Sequence, residues 1–79
     1  MKAVVTVMLK DGVLDPQGRA IAQALKNLGF ADVNDVRAGK VIELDLDAPD
    51  AAAARAQAEA MARKLLANQV IERFSVEVP

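Results

Sequence analysis

The sequence predicts an α+β fold, a two-layer sandwich in the order β-α-β-β-α-β, with a four-stranded antiparallel sheet and two helices on one of its faces. Three observations predict it. Apolar and polar residues alternate near the start and the middle of the chain, apolar residues recur at helical spacing in two longer segments, and those segments open on Asp15-Pro16 and Pro49-Asp50. The 79 residues leave room for one domain, taken as 1–79.

The first strand is read over residues 2–10, with Ala3, Val5, Val7 and Leu9 on one side and Lys2, Val4, Thr6, Met8 and Lys10 on the other. The second side is half apolar, and a strand apolar on both faces at its centre is often covered on both. Asp11-Gly12 reads as a turn. Asp15 is placed to accept from free helix N–H groups, and Pro16 suits a first helical position because its missing N–H would be unpaired there. Ile21, Ala24, Leu25 and Leu28 form one apolar stripe, and Gly29 is placed to end the helix in a left-handed conformation. Gly18 in the first turn costs up to about 1 kcal/mol of helix propensity. That fits either a close backbone approach or tolerated slack.

Val33 to Arg37 reads as a short strand and Ala38-Gly39-Lys40 as the turn into the next, Val41 to Asp47. In that strand Ile42, Leu44 and Leu46 alternate with Glu43, Asp45 and Asp47. The acids read as a solvated face, since carboxylates two apart on a flat strand do not converge on one ion. A second helix, about 50–67, is alanine-rich with Ala54, Ala58, Met61 and Leu65 along one side, and Asn68 is read as its left-handed cap. The last strand, 70–78, sets Val70, Phe74, Val76 and Val78 on one face; Glu72 falls in that set and Ile71 outside it, which leaves the phase open at its start. Two βαβ-type halves around one hairpin make the ferredoxin-like plan. Its uncovered face, with Val4, Thr6 and Met8 or their opposites, is expected to be covered by a second copy in a symmetric dimer.

A chain this short buries only about 60–65% of its unfolded surface, so its core is marginal and association would add burial. It contains no cysteine, which removes disulfides and thiolate metal sites as remedies. Net charge is −1 with acids and bases interspersed, which excludes the concentrated positive face of a nucleic-acid binder. No apolar run approaches the ~20 residues that span a bilayer, and the N-terminus carries no signal-peptide pattern, so the expected location is the cytoplasm.

The chemical inventory is nearly empty. There is no histidine, and the single serine and threonine, Ser75 and Thr6, both lie in strands, so a catalytic triad is ruled out. No phosphate loop and no GxGxxG is present, and an all-carboxylate site is the only metal option left. Three polar clusters remain. Asp15-Pro16-Gln17-Gly18 fits either simple capping or a partner or anion contact, Asp35-Val36-Arg37-Ala38-Gly39-Lys40 either a charged hairpin or a binding loop, and Leu65 to Glu72 a helix end running into a strand.

Together the clusters resemble the PurS family, the small subunit of phosphoribosylformylglycinamidine synthase in purine biosynthesis. The family pattern reads close to K-x-G-V-L-D-P-Q-G, D-V-R-x-G-K with a following Glu, and L-L-A-N-x-V-I-E. This chain supplies Lys10, Gly12 to Gly18, Asp35-Val36-Arg37, Gly39-Lys40, Glu43, Leu65 to Asn68 and Val70-Ile71-Glu72, in order; Gln69 stands where the family has Pro or Thr. The resemblance implies a non-catalytic assembly subunit, a homodimer or tetramer. It would bridge a large synthetase subunit, PurL, and a glutaminase subunit, PurQ, and help to keep ammonia from water. It implies no cofactor on this chain, with ATP and Mg used by the large subunit. The expected partner-binding residues are Asp15, Gln17, Gly18, Asp35, Arg37, Gly39, Lys40, Asn68 and Glu72. The competing reading is a free-standing ferredoxin-like regulatory module for a small ligand. An acylphosphatase-like hydrolase would need an arginine-bearing anion loop after the first strand, and Asp11 to Leu14 supplies none.

Overall fold

The alternation at the start of the chain becomes β1 (Lys2–Leu9) in the computed structural model, which describes residues 1–79. Ala3, Val5 and Val7 are buried on one side, and Val4, Thr6 and Met8 are half-buried on the other. β1 is the central strand of a three-stranded antiparallel sheet. It is flanked by β2 (Gly39–Asp45) and β3 (Glu72–Glu77), in the order β2-β1-β3. The register sets Val5 between Ile42 and Val76, and Val7 between Lys40 and Phe74. One sheet face therefore collects the aliphatic and aromatic side chains.

The helix α2 (Ala51–Met61) covers that face. Asp50 starts it, its carboxylate accepting from the Ala53 N–H at 2.8 Å. Ala54, Ala58 and Ala62 recur every four residues and are fully buried, so methyl groups alone separate the helix backbone from the strands. The helix runs on as one π-helical turn, Ala62–Leu66, closed by the Ala67 N–H donating to the Ala62 carbonyl at 2.9 Å. That wider turn carries Ala67 into the core and leaves Leu65 83% exposed. Arg55 reaches across to donate to the Val76 carbonyl at 2.7 Å, which occupies an acceptor on the outer edge of β3.

The other helix, α1 (Pro16–Asn27), starts and stops as its sequence dictates. The Asp15 carboxylate accepts from the Gly18 N–H, and Gly29 takes φ +102° past the Leu28 cap. The Gly29 and Phe30 N–H groups donate to the Lys26 and Leu25 carbonyls, which completes a Schellman ending. Yet α1 contributes nothing to the core, and Gly18 is its one buried residue. It extends from the sheet, and the molecule measures 49 × 25 × 14 Å.

The structure corrects four expectations. Residues 33–37 form no strand, so the sheet has three strands and not four. Val33 and Val36 are three apart, the wrong spacing for one strand face, and the N–H groups of Val36 and Ala38 are already taken by the Asp35 and Asp15 carboxylates. Gly39 and Lys40 lie within β2, opposite Met8 and Val7, and not in a turn. Only α2 lies on the sheet, so the two helices do not share a face. Asn68 is not left-handed, since no residue other than glycine has positive φ. Its carbonyl instead accepts from the Ile71 and Glu72 N–H groups at 3.1 and 2.6 Å, a turn that delays β3 to Glu72 and leaves Val70 exposed. The open phase of the last strand is settled with Glu72, Phe74 and Val76 toward the helix side.

Candidate functional site

Asp15 is the one buried charged residue, and it sits where two loops meet. One carboxylate oxygen accepts from the Gly18 N–H at 2.8 Å and the other from the Ala38 N–H at 2.8 Å. A single side chain thus caps α1 and ties the loop before it to the segment leading into β2. The Gly18 and Ala38 N–H groups, with the Arg37 guanidinium adding its charge, hold the Asp15 carboxyl below the usual carboxylate range. Arg37 ties the same loops from the other side, donating to the carbonyls of Val13 at 3.2 Å, Leu9 at 3.3 Å and Lys10 at 3.1 Å. Gly18 is the pivot. A Cβ there would strike the Val36 carbonyl and the Asp15 carboxylate, so the close backbone approach is real and glycine is required.

The third cluster closes the same end of the sheet. The Asn68 N–H donates to the Glu72 carboxylate at 2.7 Å, and the Val70 N–H donates to the Asn68 side chain at 3.0 Å. The Lys10 N–H donates to the Ile71 carbonyl at 2.8 Å, which fixes this turn against the end of β1. A groove of about 230 Å³ results, with Asp15 and Gln17 from the first cluster, Gly39 and Lys40 from the second, and Glu72 from the third. Asp35 and Arg37 lie outside it, on a hollow of about 380 Å³ that shares Asp15 as a wall. Asn68 lies outside the groove as well and acts on it through Glu72.

Sequence reasoning placed the side chains of this site but not its backbone partners. The Ala38 N–H and the carbonyls of Leu9, Lys10 and Val13 have no residue signature; the glycine in a helical first turn was the one available sign of a close approach. The groove offers Lys40 and Gln17 as donors and Glu72 as an acceptor on an apolar floor of Val7 and Leu9. It holds no hydroxyl or thiol. Thr6 and Ser75 are register partners within the sheet, and no group of three or more metal-ligating side chains forms anywhere.

The sequence profile of the PurS family, described as phosphoribosylformylglycinamidine (FGAM) synthase, matches residues 2–79. The chain belongs to the PurS family. The PurS subunit from Synechocystis is 49% identical over 72 residues, covering 91% of this chain and 72% of the relative. The Bacillus subtilis PurS subunit is 46% identical over 77 residues, covering 98% and 90%. The crystal structure of Methanocaldococcus jannaschii PurS superposes with a TM-score of 0.90 at 40% identity, covering 99% of this chain and 94% of that one. That protein is described as one of the subunits of formylglycinamide ribonucleotide amidotransferase in the purine biosynthetic pathway. A chain in the structure of PurLQS from Thermotoga maritima matches with a TM-score of 0.87 at 29% identity, covering 96% and 93%. The PurS motifs of the sequence are therefore the residues that hold this end of the fold together, and several of them line its groove.

Proposed function

We propose that this chain is the small, non-catalytic subunit of an ATP- and glutamine-dependent phosphoribosylformylglycinamidine synthase. In that role it joins a PurL-type synthetase to a PurQ-type glutaminase and supports passage of ammonia between them. The observation that carries the reading is a PurS match over residues 2–79 on a chain whose motif residues build one groove at the end of the sheet. A bridging subunit needs fixed shape and surface to bury, and both are present. The Asp15 and Arg37 contacts fix the loops, and Leu65, Val70 and Leu28 stand 74–83% exposed. Gln17, Lys40 and Glu72, on the groove wall, are the side chains we assign to partner contacts, with Asp35 and Arg37 on the neighbouring hollow. Asp15, Gly18, Gly39 and Asn68 act by holding that surface in place.

In this assignment ATP and Mg are used by the large subunit. The chain works as a homodimer whose second copy covers the open sheet face, and the complex operates in the cytoplasm. No helix is long and apolar enough to cross a membrane. A free-standing regulatory module is not favoured, since the PurS match spans residues 2–79 and the relatives are subunits of phosphoribosylformylglycinamidine synthase. Co-elution tests the assignment. Mixed with PurL-type and PurQ-type subunits, ATP and glutamine, the chain is expected in one high-mass species containing all three; elution at its own mass under those conditions would remove the assignment.

A further inference from the structure

The sheet ends on β3, and an edge strand offers its outward N–H and C=O groups as a template for pairing with another chain. One hydrogen bond fixes which groups those are. The Lys10 N–H donates to the Ile71 carbonyl at 2.8 Å, so by alternation Arg73, Ser75 and Glu77 turn their backbone groups toward β1, and Glu72, Phe74 and Val76 turn theirs outward. Two of the outward groups are already taken. The Glu72 N–H donates to the Asn68 carbonyl at 2.6 Å, and the Val76 carbonyl accepts from the Arg55 guanidinium at 2.7 Å. An added antiparallel strand exchanges two hydrogen bonds with every second residue. Within β3 only Phe74 keeps both of its groups free for such an exchange.

Arg55 has an alternative that it does not take. It is the one charged residue between Ala51 and Ala58, and Glu59 stands at the i, i+4 spacing that suits an ion pair on a helix. Glu59 bridges instead to Arg63 at 3.9 Å, and Arg55 crosses to the strand. The strand that it reaches alternates Phe74, Val76 and Val78, the apolar pattern that makes an uncovered edge prone to association. We propose that Arg55 is an edge guard, which keeps the outer edge of β3 from pairing with the β3 of a second copy. A strand docking there has to break the bond to the Val76 carbonyl and bury the guanidinium beside it, and an unpaired buried charge is strongly unfavourable. The helix that covers the sheet thus also closes one of its edges.

Arg55→Met tests the guard, since it keeps most of the aliphatic stem and removes the donor and the charge. Light scattering over a concentration series is expected to show species larger than the native assembly at a concentration at least tenfold lower in the variant, with an unchanged circular dichroism spectrum. In those species the Phe74 and Val76 amides are expected to gain protection from hydrogen exchange. The same size distribution for variant and native chain overturns the proposal. Larger species in which both amides stay unprotected overturn it too, because association then runs through another surface. The native chain supplies a check that does not depend on the variant folding: its Phe74 and Val76 amides are expected to exchange rapidly, and slow exchange of both would show an edge already paired and overturn the guard.

Discussion

Asp15 and Arg37 bind the same two loops in opposite directions. The Asp15 carboxylate accepts from the Ala38 N–H at 2.8 Å, next to Arg37, and the Arg37 guanidinium donates to the Val13 carbonyl at 3.2 Å, two residues before Asp15. Neither contact involves a regular strand or helix pairing. Residues 33–38 are therefore ordered by side chains, and the position of the groove depends on two residues that only partly line it.

Arg37→Ala removes three hydrogen bonds to exposed carbonyls, which water can replace. The expected cost is about 1 kcal/mol, a fall of roughly 4–8 °C in Tm for a chain of this size. Assembly with the partner subunits should weaken by more than that stability loss accounts for. Thermal unfolding beside a binding titration separates the effects; loss of the native fold would give Arg37 a purely structural role.

The buried Asp15 makes stability depend on acid. Its folded-state pKa lies below the ordinary 3.8, so its contribution is fully present above the unfolded value and is lost as pH falls through the lowered one. Denaturant midpoints measured from pH 7 to pH 2 should drop more steeply in the native chain than in Asp15→Asn. Equal slopes would contradict the assignment of both carboxylate oxygens to N–H donors.

Gly18→Ala distinguishes propensity from packing by its sign. On helix propensity alone the change stabilises by up to about 1 kcal/mol. The Val36 carbonyl fills the space a Cβ would need, so a net loss of about 1–3 kcal/mol is expected instead. Chemical denaturation reads the sign directly.

The core is small enough that one truncation matters. Val5 and Val7 are its largest fully buried side chains, and Val5→Ala should cost about 2 kcal/mol. A denaturation midpoint within error of the native chain would show that the alanine-lined helix closes onto the gap.

Local signals in the sequence were sufficient for β1, the alternation of β2 but not its start, both helix starts and the Gly29 ending, because each is specified by its own residues. The apolar alternation of Ile42 and Leu44 and the Asp15 and Asp50 caps are of that kind. Where tertiary contacts decide, sequence pattern failed. Residues 33–37 contain two valines and read as a strand, but the segment's own Asp35 takes the Val36 N–H, the remote Asp15 takes the Ala38 N–H, and Arg37 donates to the Leu9, Lys10 and Val13 carbonyls. The stripe on α1 reads as a core-facing helix side, yet Ile21 and Leu28 stand exposed and α1 adds nothing to the core. For the site the same division holds. The three motifs identified its side chains, and the backbone groups that complete it are invisible in residue identity.

A chain that carries no chemistry and joins the subunits that do is needed only when nitrogen must pass between them. The most direct measurement compares FGAM synthesis by PurL-type and PurQ-type subunits with glutamine or with free ammonia as nitrogen source, each with and without this chain. Glutamine-dependent synthesis should require the chain and ammonia-dependent synthesis should persist without it. Glutamine-dependent synthesis that proceeds at the same rate in its absence would contradict the account.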